Sequence, residues 1–222
     1  MKLAYPEWNQ LIEFQENQIP VIVIEDEKYY REIILEISEQ TLTARGRFVL
    51  SEGDNILALD KKSYIVHSPF VTDYEDSRLL KRIYKELEEV AAGEEYLNTQ
   101  EVSAKIEQYV YKLSDYLDYD ITIDSNIDLQ SVFKSAGIKP AYDDTDLITK
   151  FVDYLCLLHG LMGIDLFISV GMRSFFRDDE LMEIYKTLAH NKINLLLLEN
   201  RINNEIIPYE RILTIDSDLC EI

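Results

Sequence analysis

Cysteine is nearly absent: Cys156 and Cys220 are the only two in 222 residues. They are too few and too far apart for a disulfide framework. No run of eighteen or more uncharged apolar residues occurs, and the opening MKLAYPEWNQ carries neither a basic leader nor an apolar signal core. Together these absences disfavour export and membrane spanning, and the expected setting is a reducing cytoplasm. Internal repeats and low-complexity linkers are missing as well. Basic charge is scarce, with 22 Lys and Arg against 42 Asp and Glu, a formal net charge of −20 and an isoelectric point near 4.4. Such a surface repels polyanions. A nucleic-acid partner would require the bases to be gathered in one place, a cation to mask the acids, or several subunits to pool their basic strips.

What is present is enough apolar material, 47% of the chain, to fill a sizeable core. Ile19 to Glu25 (IPVIVIE) is a β-branched run of strand length, and a helical pattern follows through Tyr30, Ile33, Ile34 and Ile37. The same grammar returns later: DLFISV (165–170) reads as a strand, 178–189 as a helix and INLLLL (193–198) as a strand. Strand, helix and strand in that order predict an α/β fold with a parallel sheet. Further strands are expected at 64–67 and 212–215. Residues 1–72 and 146–222 are thus assigned to an α/β head, and 73–145, which has long helical periodicity and little strand signal, to an inserted helical domain. Its first helix carries Leu79, Leu80, Ile83, Tyr84 and Leu87; its second, Val102, Ile106, Tyr109, Val110, Leu113 and Leu117; its third runs from Leu129 to Ala136 and stops at Gly137. Asp146 begins the helix that returns to the sheet.

Catalytic signatures are weak. The junction after Ile24, where a nucleotide-binding protein of this fold carries its glycine-rich loop, reads EDEKYY. Glu25 and Asp26 would repel a phosphate, and no glycine lets the backbone wrap one, so the chemistry of GxxxxGK[ST] is excluded. Asp26 is better explained as a helix cap. LLLLE (195–199) has the form of a strand ending in a metal-holding acid, but without a phosphate loop Glu199 reads as a strand-end carboxylate paired with Arg201. If Glu25, Asp26 and Glu199 converged, they would form a cation site for a metal-dependent nuclease or degenerate nucleotidase. His67, His159 and His190 have no link to a GxSxG elbow, and His159 sits among leucines as a structural histidine.

Two charged groupings stand out in the insertion. Asp115, Asp118, Asp120, Asp124 and Asp128 form one acidic run, and Asp143, Asp144 and Asp146 another. Hard oxygen ligands at this density suit calcium, although DYDITIDSNID lacks the glycine and terminal glutamate of an EF-hand, and a solvated acidic surface is the competing reading. Arg78, Lys81, Arg82 and Lys85 recur three and four apart, which places them along one flank of a helix where they could grip a phosphate backbone. Lys105, Lys112, Lys134 and Lys139 could extend that strip, while Glu86, Glu88 and Glu89 could neutralise it. No base-stacking aromatic pattern accompanies these bases, so duplex backbone contact is the expected mode.

In order and spacing, VIVIED opening a helix, YIVHSPFVTDYEDSRLLKRIYKELE entering the helical part, LQSVFKSAGIKP leaving it and DLFISVGMRSFFRDDELMEIYKTLAHNKINLLLLENR completing the sheet resemble the small spacer-acquisition protein of type II-A CRISPR-associated systems. The resemblance implies an α/β head related to P-loop nucleotidase folds but without a working phosphate loop, a helical leg, and a homotetrameric ring whose lysine-lined hole admits double-stranded DNA ends. It further implies calcium as a stabiliser of that ring, no catalytic activity, and the CRISPR integrase and effector proteins as partners. One basic strip from each subunit would then make a positive hole inside an acidic shell.

Overall fold

The computed structural model describes residues 1–123, 127–141, 146–201 and 207–222. The chain divides into two compact units, Met1–Thr72 with Tyr142–Ile222, and Asp73–Ala141.

The first unit is built on five parallel strands, β3 (Ile19–Ile24), β6 (Ser63–Val66), β7 (Leu166–Val170), β8 (Asn194–Glu199) and β9 (Glu210–Ile215), in the order β6-β7-β8-β3-β9. All six residues of β3 are buried, as a central strand covered on both faces requires. Alternate residues serve different faces. Ile22, Ile24, Ile168, Leu196 and Leu198 join Ile33 and Ile37 of α1 (Glu27–Thr43) in one core. On the other face Tyr64 packs against Phe167 and against Tyr154 of α6 (Leu147–Met162), which itself meets α7 (Asp178–His190). Each large aliphatic side chain so buried contributes roughly 1.5–3 kcal/mol. Asp26 caps α1, accepting the Tyr29 amide at 2.7 Å, and Asp146 caps α6 through Thr149. The strand-to-helix junction after β3 is therefore an ordinary capped helix start.

A second, antiparallel sheet of four short strands has the order β2-β1-β4-β5: β1 (Lys2–Ala4), β2 (Ile12–Glu13), β4 (Val49–Glu52) and β5 (Asn55–Leu57). Sequence patterning does not predict it, because strands of two to four residues are too short to display an alternation. Its register to α1 is set by Gln40, whose buried amide donates to the Phe48 carbonyl at 2.7 Å and accepts the Phe48 amide at 2.9 Å. Gly46 permits that approach, since a Cβ there would lie 2.3 Å from Gln40 Oε1. Between the sheets in sequence comes the single turn of α2 (Leu59–Lys62).

The second unit consists of α3 (Ser77–Ala92), α4 (Tyr96–Ser114) and α5 (Leu129–Ser135). Asp76 caps α3 by accepting the amides of Arg78 at 2.7 Å and Leu79 at 3.3 Å. Tyr84 of α3 packs at a tilt against Phe133 of α5 and donates its hydroxyl to the Ile138 carbonyl at 3.3 Å, and Gly137 takes the left-handed turn after α5 with φ 66°. Tyr74, Leu79 and Tyr84 are its only buried hydrophobic residues among those described.

Candidate nucleic-acid interface

Helical geometry separates the two faces of α3. Leu79 and Tyr84 are buried, whereas Arg78, Lys81, Arg82 and Lys85 are all exposed on the opposite side. Their partners differ. Arg78 reaches the capping carboxylate of Asp76 at 3.0 Å, and Lys85 lies 3.5 Å from Glu89 one turn on. Lys81 makes no ion pair among the described residues. Such exposed pairs contribute about 0–1 kcal/mol and exchange readily for a phosphate. Lys105, Lys112, Lys134 and Lys139 are exposed too; Lys105 pairs with Glu101 within α4, and Lys139 with Glu75 at 2.7 Å. Of the flanking acids, Glu88 is engaged by the Gln130 amide at 2.9 Å.

Helix α4 buries no residue at all, although it packs on α3. Val102, Ile106, Tyr109 and Leu113 are 54%, 37%, 62% and 46% exposed. They are spaced four, three and four residues apart, which is the heptad pattern of a helix that pairs with another helix. The half-buried positions Ser103, Glu107, Val110 and Ser114 lie on a different side. The apolar stripe visible in the sequence is thus an exposed surface of this chain, and its heptad spacing was the available clue.

The proposed calcium ligands do not assemble among the described residues. Asp118 and Asp120 are exposed beyond the end of α4. Asp128 and Asp146 are helix caps whose carboxylates accept from Gln130 and Ser131 and from Thr149, which holds both carboxyls below their usual range. Asp124, Asp143 and Asp144 lie outside the described residues. No group of three or more His, Cys, Asp or Glu side chains that could hold a metal comes together among those described, so they do not by themselves form a calcium cage.

At the carboxyl end of the parallel sheet the sequence expectation for Glu199 needs correction. Arg201 pairs instead with Glu27, at 3.3 Å. Glu199 is 2% exposed and accepts the Arg173 amide at 3.0 Å. The Arg173 guanidinium lies 3.2 Å from Glu210, which accepts the Tyr185 hydroxyl at 2.8 Å. Burial pushes the Glu199 carboxyl up to about 7, against the opposing pull of the Arg173 amide and charge, and raises Glu210 as well. Asp26 is occupied as a cap and Glu25 is exposed, so each of the three acids has its own surroundings. Arg173 has no signature in the sequence, because it reaches this network from a single 3-10 turn, Met172–Ser174. His159 is half buried with Nδ1 2.7 Å from the Ile164 carbonyl, in keeping with a structural role. No helix among the described residues is long and apolar enough to cross a membrane.

Comparison with known proteins gives one assignment. No curated protein matches the chain. The profile of the family described as CRISPR-associated protein (Cas_Csn2) matches residues 40–219, which takes in β4 through β9 and the whole helical unit. Four of the five parallel strands and the basic helix entering the inserted unit fall inside that match, and the chain belongs to the CRISPR-associated Cas_Csn2 family.

Proposed function

We propose that this protein is a non-enzymatic, sequence-independent binder of double-stranded DNA that acts in CRISPR spacer acquisition as a homotetrameric ring. The observation that carries this reading is the exposed basic face of α3, where Arg78, Lys81, Arg82 and Lys85 stand opposite the buried Leu79 and Tyr84 in a chain of net charge −20. A phosphate backbone is the natural counterpart of such a row, and one row from each of four subunits would create a positive interior within an acidic shell. The exposed heptad stripe of α4 supports self-association, since its apolar side chains are covered once a second helix packs on them. Calcium belongs to this reading as an ion held by the acidic segments. The CRISPR integrase and effector proteins are its expected partners, and the cytoplasm its expected place.

Charge reversal tests the assignment. Arg82→Glu weakens duplex binding at low salt in a gel shift while leaving the far-ultraviolet circular dichroism unchanged; unaltered affinity would remove α3 from the interface. Catalysis is tested by incubating the pure protein with DNA or nucleotide and magnesium or manganese. Turnover that Glu199→Gln abolishes would overturn the binding-only reading. If the acidic surface itself were the recognition element, DNA would bind under no condition and a basic protein would bind instead.

A further inference from the structure

The loop after β1 and the residues after β9 enclose a cavity of 140 Å³ lined by Glu7, Trp8, Tyr29, Ile215, Leu219 and Glu221. Two aromatic rings and two carboxylates share this space, and its lining contains no Lys, Arg or His. Sites for drug-sized ligands run to about 300–1,000 Å³, so this one has room for a compact headgroup and not for a nucleotide.

Its walls are fixed. The indole of Trp8 packs edge-on against Phe48 at 5.6 Å and tilted against Tyr5 at 5.1 Å, and its N–H donates to the Tyr29 hydroxyl at 3.1 Å. Glu221 accepts the backbone amides of Asn9 and Gln10, the latter at 3.0 Å, and so anchors a negative charge beside the rings. Leu219 is held in the wall by a left-handed backbone, φ 61°, with its amide bonded to the Asp216 carbonyl at 3.0 Å. Glu7 pairs with Arg47, but that guanidinium is shared with Glu36 and lies over the Tyr5 ring, 4.7 Å from its centroid. Glu7, Glu36 and Glu221 therefore set three carboxylates against one guanidinium, and the surroundings stay negative.

We propose that this cavity binds a compact organic ammonium ion. The negative faces of aromatic rings attract such a cation, and the partly exposed carboxylates beside them add a screened attraction. A free quaternary amine and a methylated lysine side chain of a partner share this chemistry. Glu7, Trp8, Tyr29 and Glu221 all lie outside the stretch matched by the family, residues 40–219. The site is independent of the DNA reading.

Trp8 is the only tryptophan of the chain, so its emission reports occupancy directly. The full-length protein is titrated at constant ionic strength with choline, with its neutral isostere 3,3-dimethylbutanol, and with Nα-acetyl-trimethyllysine amide. The two cations produce a saturable change and the isostere none. Glu7→Gln and Glu221→Gln each weaken choline binding by roughly two- to fivefold, the range expected for partly screened charge. Should Glu221→Gln disturb the fold, Glu7→Gln, at an exposed side chain, carries the comparison. Saturation transfer from protein to the choline methyl protons, persisting in Trp8→Phe because a ring remains, gives a readout free of fluorescence. Tighter binding of the trimethyllysine amide assigns the natural ligand to a protein side chain, and tighter binding of choline to a free amine. An equal response to the neutral isostere, the absence of a saturable response to either cation, or unchanged affinity in both glutamine variants would overturn the proposal.

Discussion

Replacing Lys81 by alanine isolates the electrostatic claim better than any other change in α3. Its side chain is exposed and makes no ion pair among the described residues, so the substitution leaves no described acidic partner unpaired and no cap broken. Stability should move by less than about 0.5 kcal/mol. Binding should move much more. Each phosphate contact contributes about 0.9 to the slope of log affinity against log salt. Over a fourfold rise in salt, one lost contact therefore flattens the fall in affinity by roughly threefold. If four subunits pool their strips around one duplex, the loss is taken four times, which amounts to about a hundredfold across the same range. The assay is fluorescence anisotropy of a labelled short duplex, titrated with Lys81→Ala and with the unaltered protein from about 50 to about 200 mM salt. Salt slopes that run parallel for the two proteins would refute the placement of Lys81 on a phosphate. A slope difference near 0.9 would place one such contact in the whole assembly and argue against pooling.

Three other outcomes follow from the same geometry. Ile106→Lys with Tyr109→Glu puts charge into the exposed stripe of α4; light scattering should show a shift from assembly to monomer with helicity retained, and an unchanged mass would mean that the stripe is not an interface. Asp76→Ala removes the cap of α3 at a cost of about 1 kcal/mol. Because the Arg78 side chain holds the Asp76 carboxyl below its usual range, that contribution is complete at neutral pH and fades as pH falls through the folded-state value; an equal effect of the substitution at acidic and neutral pH would count against it. Glu199 behaves in the opposite sense. Its folded value of about 7 lies above the ordinary 4.5, so the native state holds a proton that the unfolded chain releases, and stability falls as pH rises between those values. The penalty reaches about 3 kcal/mol; Glu199→Gln should flatten the pH dependence of the melting temperature in that window, and an identical pH profile would show that Glu199 is not the group responsible.

The parallel sheet is legible because its signals are long and local. IPVIVI and the LLLL run of β8 are continuous apolar runs of the kind a strand covered on both faces displays, and the aspartates at 26 and 146 mark helix starts from sequence alone, whereas Asp76 and Asp128 show themselves as caps only in the structure. The antiparallel sheet escapes such reading since β1, β2, β4 and β5 carry two to four residues each and are defined by partners far away in sequence, as in the pairing of Lys2 with Ser51. The basic row of α3 is visible in its spacing. Two features of the site are not. Periodicity shows that Val102, Ile106, Tyr109 and Leu113 share a face, yet cannot say whether the same chain covers that face. Glu199 stands two residues from Arg201 and twenty-six from Arg173, and proximity in sequence favours the wrong partner. Arg173 reaches it from a separate turn placed by the sheet, which no local pattern encodes.

Ring loading is tested most directly by a gel shift on short linear duplex and on closed circular DNA, each with calcium and with chelator. A ring takes up DNA through a free end, so the account predicts calcium-dependent binding of the linear duplex and none of the circle. Equal binding of the circle, or no binding in any lane, would contradict it.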